Sequence, residues 1–359
     1  MALKLTLYEK RSPLSYILTM GRCYLLGVLI GLEYERSGLP MVQAAALPND
    51  VESTYRRPIL TFIVPAPKGC NLNCPFCYID KRNEPAQALD LTPADYIAFI
   101  DQVAAWENIG AICLQGYEPL LPESFAYTRA ILKAGERLGI PTSLVTNGTY
   151  LEHWVDELAE LRPDKITVSI DSADAATHDK TRGKTGAFED AMRGLRLAVA
   201  DAELQPVLSL ASILMPQRHK RLLGMPALAA ELGIKHWVIT VLNDVGMEEI
   251  GGPVGDRRRT FADLLILKRE AERHGIDFVV DDEFGTLSDE DAKRDVVDIN
   301  ELRIRRLAQP SGTFRLLPTG QCSMGLEILK EVKPDTPRWQ PGVVDAFDFI
   351  EDMRARQQA

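Results

Sequence analysis

The chain has 359 residues, 46% of them hydrophobic and 26% charged, with a formal net charge of −10. Its length holds one large domain with extensions, and its composition is ordinary for a soluble globular protein. The acidic balance argues against a general binder of nucleic-acid backbones, though it leaves room for a small anionic ligand held by a local Arg or Lys.

Residues 15–32, SYILTMGRCYLLGVLIGL, are mostly apolar but interrupted by Arg22. The stretch is barely long enough to span a bilayer, the central Arg makes spanning costly, and it lies too far from Met1 for a signal peptide. It reads as a helix packed on the main domain. A peripheral membrane contact through residues 15–32, helped by Lys4, Lys10, Arg11 and Arg22, is the alternative.

From Ile59 onward, short apolar runs alternate with amphipathic stretches. The predicted strands are Ile59–Pro65, Ala111–Gln115, Thr142–Thr146, Lys165–Ile170, Pro206–Leu214 and His236–Leu242. Helical patterns lie between them at Pro93–Asn108, Pro122–Leu138, Leu151–Leu161, Phe188–Ala200 and His219–Leu232. The first opens on Thr92 as N-cap, followed by Pro93 and Asp95. Alternation at this spacing predicts right-handed βα units on a parallel sheet, an α/β fold. A further helix at Arg257–His274 leads to a possible strand at Asp277–Val280. Phe284–Pro310 is highly charged, and Gly312–Gly320 resembles a strand ending in a turn. The expected architecture is a partial (β/α)6 TIM-like barrel at residues 58–285. An N-terminal helical extension (1–57) precedes it, and a C-terminal α/β extension (286–359) covers the barrel mouth.

In such barrels the chemistry sits at the C-terminal strand ends, and the polar motifs fall there. The first strand is followed by Cys70, Cys74 and Cys77, a C-x3-C-x2-C triplet holding half of the chain's six cysteines. Thiolates are soft ligands that select zinc, copper(I) or iron–sulfur clusters. A closed structural zinc needs four ligands, and the other cysteines and the five histidines are distant in sequence. Three thiolates on one loop can hold three irons of a [4Fe–4S] cube and leave the fourth open to a small molecule. A zinc-stabilised barrel and a non-catalytic iron–sulfur sensor or scaffold stay open as alternatives. Clustered free thiols point to a reducing, cytoplasmic compartment.

Together with Gly116-Tyr117-Glu118-Pro119, Thr146-Asn147-Gly148 and Ser169-Ile170-Asp171 with His178, Arg182 and Gly183, the triplet resembles the radical S-adenosylmethionine superfamily. The likeness covers roughly residues 58–245 and is greatest to the molybdenum-cofactor cyclase and sulfatase-maturase branch. It implies that Cys70, Cys74 and Cys77 bind a [4Fe–4S] cluster and that S-adenosylmethionine occupies the open iron. It further implies a small-molecule or peptide substrate and a flavodoxin or ferredoxin as electron donor. The resemblance assigns S-adenosylmethionine contacts to Gln115, Gly116, Tyr117, Glu118, Asn147, Ser169 and Arg182. Tyr117 departs from the family's second glycine. An Arg suits a carboxylate because its planar fork makes paired hydrogen bonds.

Cys322 stands without other cysteines in the C-terminal extension, so an auxiliary cluster, which takes about four ligands, is not expected. That favours epimerisation, rearrangement or elimination. Cys322 is a candidate hydrogen-atom donor to a substrate radical, with a packed core thiol as the alternative. Cys113 and Cys23 read as packing residues.

Overall fold

Six of the expected strands form close to their sequence bounds and lie side by side in chain order: β1 (Ile59–Val64), β2 (Ala111–Gly116), β3 (Thr142–Thr146), β4 (Lys165–Ser169), β5 (Leu208–Leu214) and β6 (His236–Val241). Each pairs in parallel with the next. The computed structural model describes residues 59–77, 91–104, 109–216, 218–243, 259–282, 301–305, 313–323 and 336–358, with single positions between them and Gln217 excepted. The apolar stretch at 15–32 and the rest of the N-terminal extension lie outside the described residues. No described helix is long and apolar enough to cross a membrane.

Alternation along each strand separates two environments. Phe62 of β1 packs edge-on against Tyr96 and Phe99 (5.5 and 6.0 Å) of helix α1 (Pro93–Ala104). Ile166 and Val168 of β4 are likewise fully buried in the apolar core. Their neighbours Lys165, Thr167 and Ser169 line a cavity on the sheet's other face. The outer layer continues with α2 (Phe125–Leu138), α3 (Leu151–Leu161), α4 (Ala175–Arg182), α5 (Ala187–Ala200), α6 (Met225–Glu231) and α7 (Thr260–Arg273). At the start of α1, Asp95 Oδ2 accepts from the Thr92 amide (2.7 Å) and the Asp95 amide donates to Thr92 Oγ1 (3.4 Å). This is the reciprocal form of the cap expected from the sequence.

The sheet extends beyond six strands at both edges. The parallel strands β7 (Asp277–Asp281) and β8 (Ile304–Arg305) follow β6. Past them the chain crosses to the other edge, where β9 (Thr313–Leu316) pairs in parallel with β1 and β10 (Cys322–Ser323) runs antiparallel to β9. The order is β10-β9-β1-β2-β3-β4-β5-β6-β7-β8, a parallel sheet consistent with a partial barrel. Helix α8 (Ala346–Gln358) docks on α1: the Ala346 amide donates to Gln102 Oε1 at 2.8 Å, while Trp339 meets Phe99 edge-on at 5.0 Å.

Two local expectations differ from the fold. The helix expected over His219–Leu232 breaks into a 3-10 turn, His219–Leu222, and α6, because Gly224 and Pro226 restart the helix. Helix α4 was not expected, since its sequence AATHDKTR lacks an apolar stripe. Its ends hold it instead. Asp174 caps the Thr177 amide at 2.7 Å, and Gly183 closes the helix in the left-handed conformation, φ 68°.

Candidate active site

The loop after β1 carries Cys70, Cys74 and Cys77 into the wall of a cavity of about 230 Å³ at the C-terminal rim of the strands. Gln115, Gly116, Tyr117, Glu118, Asn147, Ser169 and Arg182 line the same cavity, so these sequence-predicted residues are brought together. Among the described residues no three His, Cys, Asp or Glu side chains are grouped to hold one metal ion. The three thiols line one space.

Three sets of interactions seat the loop. On one side, Asn71 Nδ2 donates to Thr149 Oγ1 (2.8 Å) and Asn71 Oδ1 accepts from Asn147 Nδ2 (2.9 Å). The Thr149 amide and hydroxyl both donate to Asn147 Oδ1 (2.9 and 2.7 Å), fixing the Asn147 side chain. On the other side, the Asn73 amide donates to the Arg182 carbonyl at the end of α4 (3.1 Å), with Cys74 Sγ 3.6 Å from the same oxygen. A Cβ on Gly183 would lie 2.0 Å from the Asn73 carbonyl oxygen. This close approach therefore requires glycine. Beneath the loop, Phe76 is buried with Met215 and Leu242, and its ring carries the Arg182 guanidinium at 5.8 Å. A cation over an aromatic face is held there by the ring's quadrupole.

Glu118 ties the ends of β2 and β3 together. Its Oε1 accepts from the Leu120 amide (2.9 Å) and the Thr146 hydroxyl (2.6 Å), and its Oε2 from the Asn147 amide (2.7 Å). Three of a carboxylate's roughly four acceptor positions are thus engaged by the chain itself. Burial pushes its pKa up, against those hydrogen bonds and the Arg182 charge. The preceding Gly116 adopts φ 117°, and a Cβ there would stand 2.7 Å from an Ile63 methyl. Tyr117 is not among the positive-φ residues, so ordinary backbone accommodates it and its half-buried side chain faces the cavity. The departure from a second glycine therefore costs no backbone strain.

Arg182 is buried against Asp171, with Nε 2.8 Å from Oδ2, close as an ion pair though not aligned as a hydrogen bond. Burial works against the Arg182 charge, but Asp171 and the sulfurs of Cys74 and Cys77 outweigh it and raise the pKa. Asp171 Oδ1 accepts from the Ile213 amide (2.8 Å), and its amide donates to His178 Nδ1 (3.1 Å). His178 therefore carries its proton on Nε2 when neutral. Burial first, and then Arg182, lower its pKa to about 4. Arg221 adds a second guanidinium nearby, bonded to the Thr181 hydroxyl (3.2 Å) and the Ile213 carbonyl.

Sequence reasoning missed Asn71, Thr149, Thr146 and Asp171 as the frame of the site. Cys322 is not brought to the cavity. It is fully buried in the apolar core, paired with Leu316, and its placement lends no support to the hydrogen-donor expectation.

Parallel strands, a three-cysteine loop after the first of them and a buried arginine beside that loop define a partial barrel with three free thiols at its rim. Residues 64–202 match the family model of the Radical SAM superfamily. The AdoMet-dependent heme synthase of Methanosarcina barkeri is 38% identical over 36% of this chain and 36% of that protein. A probable GTP 3′,8-cyclase of Methanococcus maripaludis is 31% identical over 42% of this chain and 48% of that protein. The chain thus spans a third to a half of the length of these relatives. Streptococcus suis SuiB, solved with S-adenosylmethionine, shares the fold at a TM-score of 0.61 and 15% identity, over 84% of this chain and 68% of that one.

The family's cofactors are a [4Fe–4S] cluster and S-adenosylmethionine, and the residues present fit them. The donor set is three thiols on one cavity wall, with a buried cation beside them. Burial first, then the Glu118 charge, push the Cys70 thiol up to about 12. A metal that displaces its proton must therefore supply the compensating positive charge.

Proposed function

We propose that the chain is a radical S-adenosylmethionine enzyme whose Cys70, Cys74 and Cys77 hold a single [4Fe–4S] cluster. The observation that carries the reading is one cavity wall formed by those thiols together with Glu118, Asn147, Ser169 and Arg182. When bound, the cluster and S-adenosylmethionine supply a 5′-deoxyadenosyl radical that takes a hydrogen atom from substrate.

The chain's own residues set the geometry for this. Asn147 and the Arg182 carbonyl fix the loop from two sides, so the three thiols present a constant spacing. Arg182, charged and held by Asp171 and Phe76, lines the cavity, as does Ser169. Its fork is offered to the methionyl carboxylate. Glu118 holds the β2 and β3 ends in place and keeps one acceptor position for the methionyl ammonium. Gln115 and Tyr117 close the wall and exclude water.

The substrate is a small metabolite or a peptide, and the net reaction an epimerisation, rearrangement or elimination. The last point rests on Cys322 standing without other cysteines in the C-terminal extension. We place the barrel at 58–285 and its C-terminal extension at 286–359, and we assign electron supply to a flavodoxin or ferredoxin in a reducing compartment. Anaerobic reconstitution tests the core of the reading. It predicts about four irons per chain and release of 5′-deoxyadenosine on reduction with S-adenosylmethionine. Tightly bound zinc, or a cluster that never cleaves S-adenosylmethionine, would overturn it.

A further inference from the structure

Electrons for the cluster proposed above enter across the cysteine loop, whose outer side is open to solvent. Lys68, Asn73 and Pro75 are exposed, whereas Leu72 and Phe76 are buried beneath them. The surface beside the loop belongs to α4. The Asn73 amide donates to the Arg182 carbonyl at 3.1 Å, and Cys74 Sγ lies 3.6 Å from the same oxygen. Ala176, Lys180 and Gly183 are the exposed stripe of α4 and the residue that closes it, spaced i, i+4, i+7, so the stripe ends against the loop. A second segment, the 3-10 turn His219–Leu222, is tied to α4 by the bond from Arg221 Nη1 to the Thr181 hydroxyl (3.2 Å). Just past it, a Cβ on Gly224 would lie 3.1 Å from that of Ala173. Arg218 and Lys220 are exposed on this segment.

Charge on this surface runs against that of the whole chain. The chain carries a net charge of −10, yet residues 67–77, 173–184 and 218–224 hold seven Lys or Arg and two Asp. Both carboxylates are engaged by backbone: Asp174 caps α4, and Asp179 accepts from the Gly186 and Phe188 amides (2.6 and 2.8 Å). Among the described residues no ion pair engages Lys180, Lys184 or Lys220. The helix dipole accounts for Lys180 in the last turn of α4, but Lys184 lies past the helix end, and Arg218 and Lys220 belong to another segment. We propose that this face docks an acidic one-electron carrier protein, which meets the cysteine loop at Asn73 and Gly183. The docking site presupposes the cluster proposed above and supplies its point of electron entry. In the transfer the carrier loses one electron and the cluster gains it, with no bond made or broken. Exposed cations beside small neutral residues suit a weak, steered encounter: long-range attraction speeds arrival, and a shallow contact lets the oxidised carrier leave.

The test uses reduced flavodoxin as probe, mixed anaerobically at low salt with the full chain carrying a reconstituted cluster. Lys180→Glu, Lys184→Glu and Lys220→Glu together should slow bleaching of the cluster about tenfold or more. The deficit should shrink as added salt shortens the screening length. Lys133→Glu, Arg162→Glu and Lys235→Glu together change the net charge equally at exposed positions on α2 and ahead of β4 and β6, and should keep the wild-type rate. On the chain without cluster, flavodoxin should protect Lys180 and Lys220 from acylation, read by mass spectrometry, and leave Lys133 and Lys235 labelled as before. Equal rates in the two triple variants, no protection by flavodoxin, or protection by an RNA duplex in its place would overturn the proposal. Dithionite needs no docking surface. Its reduction of the cluster and the 5′-deoxyadenosine released with it should be equal in all three proteins, and they report the cluster reading separately.

Discussion

Gly183→Ala tests whether α4 is the seat of the cysteine loop. The new Cβ would fall 2.0 Å from the Asn73 carbonyl oxygen and 2.6 Å from its carbon, both backbone atoms. An ordinary carbon–oxygen contact is about 3.3 Å, so the two segments must part by roughly 1.3 Å. That displacement is more than the 3.1 Å hydrogen bond from the Asn73 amide to the Arg182 carbonyl can absorb. Losing the bond costs about 1 kcal/mol, and holding a non-glycine residue in the left-handed region costs about 1–2 kcal/mol more. The expected total is about 2–3 kcal/mol, and because Cys74 follows Asn73 directly the loss should appear in iron loading. Gly186→Ala is the control, since that position also has positive φ (86°) but nothing within 4 Å of a Cβ. It should cost only that left-handed penalty, about 1–2 kcal/mol, and leave iron content intact. Denaturant unfolding and iron per chain after reconstitution are measured on both variants. If they match in both quantities, the seat assigned to Gly183 is wrong.

Glu118→Gln sets an amide NH2 where the carboxylate accepts from three donors, so one buried donor is left unmatched. About 1–3 kcal/mol of stability should be lost, together with iron retention, and a stable variant with full iron would refute the role. His178 ordinarily titrates at 6.5 and is lowered here to about 4, so the unfolded chain binds the extra proton between those values. Stability from this group is therefore complete above pH 6.5 and declines as pH falls through the window to about 4, by about 3 kcal/mol in all. The difference between wild type and His178→Gln in urea midpoints across pH 4–7 isolates it, and parallel profiles would refute it. Arg182→Lys keeps the charge but loses the fork and the contact with Phe76; S-adenosylmethionine affinity, read by equilibrium dialysis on reconstituted protein, should fall about tenfold or more, and an unchanged value would remove Arg182 from the site. Cys322→Ala should lower the unfolding midpoint through a small cavity while leaving 5′-deoxyadenosine release and solvent deuterium in product unchanged. Loss of product labelling would restore the donor role to this thiol.

Much of this architecture is legible from periodicity. The strands from β1 to β6 announce themselves because each is a short apolar run bounded by turn residues, and parallel strands buried on a helix-covered face have to be so. The cysteine triplet is legible because its spacing is local. What escapes is whatever depends on contacts between distant segments. Helix α4 has no apolar stripe, and its signals are a cap at Asp174 and a glycine at 183; its task, receiving the cysteine loop, is a 108-residue contact between Cys74 and the Arg182 carbonyl. Strands β8 and β10 are two residues each, too short for any pattern, and they form because a sheet edge is already there to pair with.

Glu118 shows how much of a residue's work a sequence motif leaves out. The sequence resemblance assigns it to a ligand, and the structure leaves it one acceptor position for that task. Its other three bonds hold Thr146, Asn147 and Leu120, and Asn147 in turn holds Asn71 beside Cys70. A carboxylate at this position thus links the ends of β2 and β3 to the cysteine loop through two hydrogen bonds. Any residue that merely contacted a ligand could be exchanged for another acceptor at modest cost. One that also carries the frame cannot, because each donor it releases is buried. The same logic separates Glu118 from Ser169, which lines the cavity without entering that frame, so Ser169→Ala should alter ligand affinity alone and leave the iron content of the chain unchanged.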